Sequence, residues 1–391
     1  MLKKLPFLFI LILIPAVLAF SPIHESVFEQ NFEDIPHNRR LNRDFQVWEN
    51  GAVLELFLEK SNVNSGNNGL RIVAKSANPI NQAQDGSVYQ ALPSSDRNWS
   101  GAEAVQFWVN NPNPTEILIT FNFKELFSEY WAVAEHGTFY LSTQQSVFQQ
   151  QEIFYSNLPI PAFFEGLVIV PFESFSVPDW NTAKSNGLMD LEKIDSYALG
   201  IRIDSDTPFS IFIDDISIFG QTDLAELKIT GPDRILIPPS GELIETFSAA
   251  VHRQADLIAE EVDIQWSIQE QAPEYVTITP GGKLSIPAGT ENGLVLLRAA
   301  CTTGDYQIIR DWPVLLYQAG YDEPFTNPPT RVDSTGRLVS YELPSDTPRY
   351  DAFSAGFDVW AMQNRPLFIV LIMMVVLAFL TILSTSKSKL K

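Results

Sequence analysis

Short runs in which apolar and polar residues alternate occupy most of this 391-residue chain. Examples are AVQFWVNN at residues 104–111, EILITFNF at 116–123 and FSIFIDDISIF at 209–219, with turns rich in Asn, Pro, Gly and Ser between them. Alternation with a period of two places every second side chain on one face, as in a β-strand that is buried on one side. Long amphipathic helical stretches are missing from the sequence. The pattern therefore predicts an all-β fold of many short strands.

The strand-like runs form two consecutive sets. The first fills residues 25–220, a length that suits one large β-sandwich or jelly roll. The second fills residues 224–317 and contains VDIQWSI, in which Trp266 shares a face with apolar neighbours. We predict that Trp266 lies between two sheets and that this second domain is an immunoglobulin-like (Ig-like) sandwich. Residues 318–364 hold five prolines among polar residues and are interpreted as a semi-extended stalk or linker.

Both ends of the chain carry membrane-type segments. Residues 1–19 combine two lysines with an uncharged apolar run, which predicts a secretory signal peptide; an uncleaved membrane anchor is the alternative. Residues 366–386 are uncharged and long enough to cross a bilayer as one helix. Three lysines follow in residues 387–391, and the positive-inside bias predicts a cytoplasmic tail there. We expect a single-pass protein of the cell membrane with an extracytoplasmic ectodomain.

The acidic balance of the chain restricts its partners. The formal net charge is −21 at pH 7, which argues against nucleic acid or an anionic lipid surface. The single cysteine, Cys301, excludes an internal disulfide. Cys301 also lies in phase with apolar neighbours, so a buried structural role is favoured over a nucleophilic one.

Two adjacent carboxylates, Asp214 and Asp215, interrupt the last alternating run of the first domain. In a regular strand they point to opposite faces, so they cannot share one reaction centre unless a bulge intervenes. This geometry argues against a catalytic acid–base pair.

Signals for an enzyme are weak. The four histidines show no metal-ligand spacing, and the sequence has no G-x-S-x-G elbow and no glycine-rich phosphate loop. Glu129 and Glu135 near His136 form the closest approach to an acid–base cluster, and chance association in a carboxylate-rich chain is the favoured interpretation. We predict a non-catalytic protein, with a glycoside hydrolase as the enzyme alternative.

Six motifs occur in a recognisable order through the first domain. They are FEQNFEDIP, SGNNGLRIV, AVQFWVNNPNPTEILITF, IVPFESFSVPDW, LEKIDSYALGI and FSIFIDDISIF. Together they resemble the carbohydrate-binding modules of the galactose-binding-like jelly-roll type. The second domain resembles bacterial Ig-like modules through QWSI, VTITPGGKLSI and VLLRAA. The resemblance implies a jelly roll followed by an Ig-like spacer.

The resemblance also implies a structural calcium site where the first and last strands of the jelly roll meet. On that analogy Glu33 and Asp214 supply carboxylates, and the loop NVNSGNNG supplies backbone carbonyls with Asn64 and Asn68. The chemistry is consistent, because Ca²⁺ takes six to eight oxygen ligands and accepts backbone carbonyls. The alternative is that Glu33 and Asp34 are exposed at the start of a strand and that Asp214 caps a neighbouring loop.

Sugar binding would require aromatic rings on which sugar C–H groups stack, flanked by polar side chains. Trp108 shares a strand face with Gln106 and Asn110, an unusually polar setting. Tyr130 and Trp131 are adjacent in a strand, so at most one of them points outward. Further aromatic residues lie near loops, namely Tyr89, Trp99, Tyr140 and Trp180, and of these Tyr89 and Trp180 are the candidates for sugar binding. For each ring, core packing or loop anchoring is the alternative.

These observations predict a non-catalytic surface protein that captures a polysaccharide or other glycan with its first domain. The alternative is a structural or adhesive envelope protein that binds another protein and has no sugar site.

Overall fold

The computed structural model of the chain describes residues 26–77, 84–144, 146–203, 207–220, 224–253, 256–257, 262–269, 272–273, 275–319, 330–332 and 338–340. The predicted signal peptide (1–19), membrane helix (366–386) and cytoplasmic tail (387–391) lie outside these residues, as does most of the predicted stalk. Among the described residues, no helix combines the length and the apolar character that a membrane crossing needs.

The all-β prediction is confirmed. Helical structure in the described part of the chain is confined to α1 (Asn38–Asp44) and three 3-10 helices, Ser94–Asp96, Phe172–Ser174 and Asp179–Lys184. The strands of the first sequence set are β1 (Ser26–Gln30), β2 (Phe45–Asn50), β3 (Ala52–Glu59), β4 (Gly69–Ser76), β5 (Gln84–Ala91), β6 (Ala104–Asn110), β7 (Ile117–Glu125), β8 (Tyr130–Val133), β9 (Thr138–Gln144), β10 (Val147–Glu152), β11 (Leu158–Ile160), β12 (Glu165–Pro171), β13 (Phe175–Ser176), β14 (Ile194–Ile203) and β15 (Phe209–Phe219).

The strands that follow are shorter on average, except for one long hairpin. They are β16 (Glu226–Thr230), β17 (Arg234–Leu236), β18 (Glu242–Thr246), β19 (Ser248–Arg253), β20 (Asp256–Leu257), β21 (Ile264–Ile268), β22 (Thr277–Ile278), β23 (Lys283–Pro287), β24 (Gly293–Thr303), β25 (Tyr306–Tyr317), β26 (Thr330–Val332) and β27 (Leu338–Ser340). Trp266 and Cys301 are buried in this region, as their alternation predicts.

Two large sheets pack face to face in the first part of the molecule. The larger sheet has twelve described strands in the order β21-β24-β25-β10-β9-β12-β6-β15-β4-β3, with β1 beside β15 and β17 beside β25. The other has seven, in the order β13-β8-β7-β14-β5-β2 with β11 beside β7. Rings from both sheets meet in one core, where Phe107 of β6 stacks on Phe121 of β7 at a centroid distance of 6.2 Å. The first part of the chain is therefore a β-sandwich.

Strand β7 shows how the sequence builds this core. Ile119, Phe121 and Phe123 are buried, whereas Thr120 and Asn122 between them are only partly covered. The apolar residues face the larger, twelve-stranded sheet, and the polar residues face outward. Burial of the apolar set favours this register, because a slip of one residue would exchange the two faces.

The larger sheet continues across the two sequence sets. Strand β10 pairs in parallel with β25, so Val147–Gln150 lie opposite Gln307–Arg310. A second buried cluster joins Tyr140 and Phe148 to apolar residues of the later strands. The Tyr140 hydroxyl donates a hydrogen bond of 3.0 Å to the Ala225 carbonyl. One end of the larger sheet's outer face is thus covered by the second part of the chain.

Candidate functional site

The outer face of the seven-stranded sheet places aromatic and polar side chains side by side. The cross-strand pairing sets two adjacent rows of outward-facing residues. One row consists of Gln46, Tyr89, Ala198, Asn122 and Ala132, and the next of Trp48, Ser87, Gly200 and Thr120. We call this surface, with Tyr130 and Trp180 at its end, the aromatic face. Its central residues are small and its ends carry rings.

The centre of the aromatic face is shallow because it is built from small residues. A Cβ atom placed on Gly200 would lie 2.3 Å from Cγ2 of Thr120 on the neighbouring strand. Real Cβ atoms do not approach that closely, so a larger residue at Gly200 would displace Thr120. Together with Ala198, Ala132 and Ser87, the glycine leaves a shallow floor between the aromatic ends.

At one end, Tyr130 lies between a ring and a cation. Its ring centroid is 5.0 Å from that of Trp180 at an interplanar angle of 60°, and the Lys124 ammonium is 5.7 Å from the Tyr130 centroid. Trp180 is 36% exposed, so part of its ring is open to solvent. Burial, with smaller contributions from the charge of Asp195 and from Tyr89, raises the pKa of Tyr130 to about 12. The phenol is therefore a neutral donor at physiological pH.

The other end is formed by β2 and β5. The Tyr89 hydroxyl donates to the Gln46 side-chain carbonyl, and burial raises the pKa of Tyr89. Trp48 and Gln46 are partly exposed on the same face of β2. Tyr89 lies on β5 and Tyr130 on β8, three strands away. At the usual strand spacing, the backbones of β5 and β8 are therefore about 14 Å apart.

Charged groups at the edge of the aromatic face are paired. The Asp195 carboxylate lies 3.5 Å from Lys124 Nζ and 3.4 Å from an Arg97 guanidinium nitrogen. These side chains are partly buried, which holds them in place beneath Tyr130. Two basic side chains share one carboxylate, so this cluster carries a net positive charge.

The predicted aromatic residues divide between the surface and the core. Tyr89, Tyr130 and Trp180 belong to the aromatic face. Trp131 is buried, stacks on Phe123 at 6.5 Å and donates from Nε1 to Glu125 at 2.7 Å. Strand alternation indicated that only one of Tyr130 and Trp131 could face outward, and the structure selects Tyr130.

Trp108 lies on the other sheet and does not belong to the aromatic face. Its polar neighbours in β6 suggested an open surface, but the ring is only 4% exposed. Leu167 of β12 and Asp214 of β15 flank it in the cross-strand register. Polar neighbours along a strand indicate which face a ring shares, and they do not reveal what covers that face. Trp108 consequently offers almost no ring surface to a ligand.

Two residues of the aromatic face escaped the sequence analysis, Trp48 and Gln46. Their strand, FQVWEN, alternates as clearly as the others, with Phe45 buried in the core. The alternation of β2 already indicated that Gln46 and Trp48 share one face of the strand. Only the pairing of β2 with β5 shows that this face adjoins Tyr89.

A second site lies at the loop that joins β3 to β4, where Asp214 and Asp215 converge. The pairing of β15 with β6 shifts register between Asp214 and Ser217, and Asp215 has φ +46°. This bulge brings both carboxylates to the same loop, so the expected split between opposite faces does not occur. Asp214 accepts the backbone N–H of Asn64 at 2.9 Å, and Asp215 accepts the Asn64 side-chain amide at 2.7 Å.

Glu33 holds the other side of this loop. One of its carboxylate oxygens accepts the backbone N–H groups of Asn67 at 2.7 Å and Asn68 at 2.8 Å. These hydrogen bonds lower the pKa of Glu33. Gly66 allows the approach, because it has φ +62° and a Cβ there would lie 2.4 Å from the carboxylate. The four predicted calcium residues, Glu33, Asn64, Asn68 and Asp214, thus meet at one loop.

The charges of this site suit a cation. Asp214 is fully buried, and burial together with the charge of Asp215 raises its pKa to about 6. Within the described ranges, no basic side chain forms an ion pair with Glu33, Asp214 or Asp215. The same ranges contain no group of three His, Cys, Asp or Glu side chains with metal-binding geometry. A cation here would therefore also need amide or carbonyl oxygens of the loop, which Ca²⁺ accepts.

The candidate acid–base cluster is not assembled. Glu129 is buried and accepts the backbone N–H of Asn186 at 2.5 Å. His136 has φ +64° and its Nδ1 lies 2.6 Å from a Glu152 carboxylate oxygen. Each group is thus engaged in a different contact.

No protein-family model matches the chain, and no curated protein matches it in sequence. Three solved structures illustrate what it is similar to. The family 11 carbohydrate-binding module from Clostridium thermocellum, described in complex with a β-1,3-1,4-mixed-linked tetrasaccharide, is 16% identical over 51% of this chain and 100% of that chain, with a TM-score of 0.34. A family 30 carbohydrate-binding module is 13% identical over 44% and 79%, with a TM-score of 0.27.

The third is the β-1,2-glucanase from Parabacteroides distasonis, which is 11% identical over 76% of this chain and 38% of that chain, with a TM-score of 0.31. At these identities and TM-scores, the function of this chain has to be inferred from its own residues.

Proposed function

We propose that this protein binds carbohydrate polymers on its aromatic face and does not cleave them. The single observation that carries the proposal is the placement of Trp48, Tyr89, Tyr130 and Trp180 around a floor of small and amide side chains on one sheet. Aromatic rings provide flat apolar surfaces for the C–H groups of a pyranose, and amides bond its hydroxyls. The resemblance of the six motifs to jelly-roll carbohydrate-binding modules supports the same conclusion.

The dimensions favour a chain of sugars over a single unit. The aromatic ends stand about 14 Å apart across β5, β14, β7 and β8, which exceeds the size of one pyranose. A linear glycan that crosses these strands would stack at both ends and meet Asn122 in the middle. The Asp195 carboxylate at the edge of the face is engaged by Lys124 and Arg97, so it presents no free negative charge to a glycan.

The proposed absence of catalysis rests on the contacts that the carboxyl groups near the aromatic face already make. A glycoside hydrolase requires two carboxyl groups that flank the scissile bond. On the aromatic face, Asp195 is held by two basic side chains, and Glu129 is bonded to the backbone of Asn186. Incubation of the protein with each bound glycan should release no new reducing ends. Turnover that Glu129→Gln abolishes would overturn this part of the proposal.

A glycan array with the full chain in detergent micelles tests the binding proposal. We expect binding to one or more linear polysaccharides in a panel of cellulose, mixed-linked β-glucan, xylan and laminarin fragments. Tyr130→Ala should weaken it, and Tyr275→Ala should not, because Tyr275 is an exposed tyrosine of the second part of the chain and lies outside the aromatic face. The adhesive alternative would be favoured if the protein binds no glycan and instead binds a protein partner whose affinity Tyr130→Ala reduces.

We propose in addition that Ca²⁺ binds between Glu33, Asp214 and the loop of residues 60–69, and acts as a structural staple. Support comes from the buried carboxylate of Asp214 and from the hydrogen bonds that Glu33, Asp214 and Asp215 each accept from one loop. The ion would supply the counter-charge and tie the segment after β1 to β15. Removal of Ca²⁺ with a chelator should therefore lower the unfolding temperature of the protein, and Asp214→Ala should abolish that response.

The finer architecture is proposed from the sequence patterns. The first sandwich would be a jelly roll of the galactose-binding-like type, and residues 224–317 an Ig-like spacer. Both would be displayed outside the cell on the helix at 366–386, with the tail at 387–391 in the cytoplasm. Protease protection in intact cells tests this orientation, since only the tail should resist external protease.

A further inference from the structure

The segment between β13 and β14 carries Trp180 across one end of the aromatic face. Its only regular structure is the short 3-10 helix Asp179–Lys184. A segment with so little regular structure depends on contacts with the rest of the protein for its position. The turn of residues 125–129, which joins β7 to β8, provides several of those contacts. The core provides others through Leu191, whose carbonyl accepts the Trp99 N–H.

Glu125 provides the first contact. It is the last residue of β7, is 1% exposed, and accepts the backbone N–H of Asp190 at 2.8 Å. The same oxygen accepts Nε1 of Trp131 at 2.7 Å. Desolvation is the main reason why the pKa of Glu125 is raised. The carboxylate therefore ties the end of the Trp180 segment to a buried ring of the core.

Glu129 and Ser128 provide two more contacts. The Glu129 carboxylate, which is also buried, accepts the backbone N–H of Asn186. The carbonyl of Ser128 accepts the side-chain amide of Asn181 at 3.2 Å, and Asn181 is the residue after Trp180. The 125–129 turn thus holds the segment at Asn181, Asn186 and Asp190. Tyr130, the partner of the Trp180 ring, follows directly after this turn.

We infer that Glu125 and Glu129 are positioning residues for carbohydrate binding, which hold the 179–190 segment so that Trp180 stands beside Tyr130. The inference rests on the proposed function. It explains why two buried carboxylates are placed at a turn where apolar residues would avoid the cost of desolvation. Each carboxylate satisfies a backbone N–H of an irregular segment that has no strand partner for it. The expected consequence is that Glu129 affects binding only through Trp180.

A double-mutant cycle tests this dependence. The full chain in detergent micelles would be titrated calorimetrically with the array glycan of highest affinity. Trp180→Ala and Glu129→Ala should each weaken binding about 5- to 10-fold, the range expected for one lost aromatic contact. In the Trp180→Ala background, Glu129→Ala should cause no further loss. Independent losses that multiply would overturn the inference.

Two variants separate positioning from a general effect of removing charge. Glu129→Gln keeps a carbonyl that accepts the Asn186 N–H, so it should retain wild-type affinity. Glu135→Ala removes an exposed carboxylate from the next loop and should leave affinity unchanged. If Glu129→Ala does not fold, Asn181→Ala serves instead, because it removes the hydrogen bond to Ser128 and leaves both carboxylates in place. A glycan affinity that Asn181→Ala leaves at the wild-type value would also contradict the inference.

A measurement without ligand distinguishes failure of the inference from failure of the proposed function. In protein labelled with 5-fluorotryptophan, the ¹⁹F resonance of Trp180 can be assigned by its loss in Trp180→Phe. We expect Glu129→Ala to shift this resonance toward its position in denatured protein, and Glu129→Gln to leave it in place. An unshifted resonance in Glu129→Ala refutes the positioning role. A shifted resonance in a protein that binds no glycan refutes only the proposed function.

Discussion

The two outer faces of the first sandwich use similar residues in different surroundings. On the seven-stranded sheet, Tyr89 and Tyr130 stand partly exposed beside small and amide side chains. On the twelve-stranded sheet, Trp108 also alternates with polar neighbours, yet it is almost completely buried. The second part of the chain covers one end of that sheet through Tyr140 and Phe148. The alternation of a strand therefore does not decide whether an outward-facing ring stays open to solvent.

The largest effect that would sharpen this comparison is expected from Trp108→Ala. Loss of a buried tryptophan leaves a cavity and costs about 3–5 kcal/mol. Chemical denaturation of the full chain in micelles should show a lower unfolding midpoint, whereas Tyr130→Ala should change it little. Equal midpoints for the Trp108 variant and the wild type would break the distinction between the faces.

Removal of calcium should lower the stability of the protein and leave glycan binding on the seven-stranded sheet unchanged. If the ion binds at Asp214, saturating Ca²⁺ at about 100 times its Kd stabilises the protein by about 2.7 kcal/mol and raises Tm by several degrees. Chelator should reverse this shift in differential scanning fluorimetry, and Asp214→Ala should be insensitive to both. Below the unfolding temperature, glycan affinity should not change with chelator. A Tm that is identical with calcium and with chelator contradicts the staple.

Tyr130→Ala tests the open face, with an intermediate effect. Loss of one stacking ring should reduce glycan affinity about tenfold, equivalent to about 1.4 kcal/mol. Isothermal titration calorimetry would measure it, with Tyr275→Ala as the matched control. Similar losses in both variants would show that the effect does not come from the aromatic face.

The smallest effect is expected from Glu125→Gln and depends on pH. Burial raises the pKa of Glu125 in the folded state, so ionisation costs more there than in the unfolded chain. Stability from this group is therefore complete at pH values below its unfolded pKa and declines as pH rises through the folded pKa. Glutamine keeps the carbonyl for Asp190 and Trp131 without the charge. The free energy of unfolding of the variant should therefore exceed that of the wild type by an increasing margin as pH rises from acidic to neutral.

Thermal unfolding of both proteins across that pH range would measure the difference. A variant that is less stable than the wild type at neutral pH would show that the charge itself strengthens the two hydrogen bonds. In that case the carboxylate would be favourable despite its burial.

Alternation predicted the strands and several side-chain directions, because a half-buried strand imposes a period of two. It separated Tyr130 from Trp131 and placed Trp266 in a core. It was wrong for Asp214 and Asp215, since a bulge with positive φ at Asp215 turns both carboxylates toward one loop. The exposure of Trp108 could not be predicted from neighbours in its own strand. Trp48 required the pairing of β2 with β5, which no local pattern specifies.

The pairing of β10 with β25 has a consequence for how the chain responds to cleavage. The backbone passes from the first sequence set to the second between residues 220 and 224, but Val147–Gln150 and Gln307–Arg310 provide a second connection that is not covalent. Buried contacts such as that of Tyr140 with Ala225 reinforce it. We therefore expect a protease cut between residues 220 and 224 to leave two fragments that still migrate together under native conditions and separate only in denaturant.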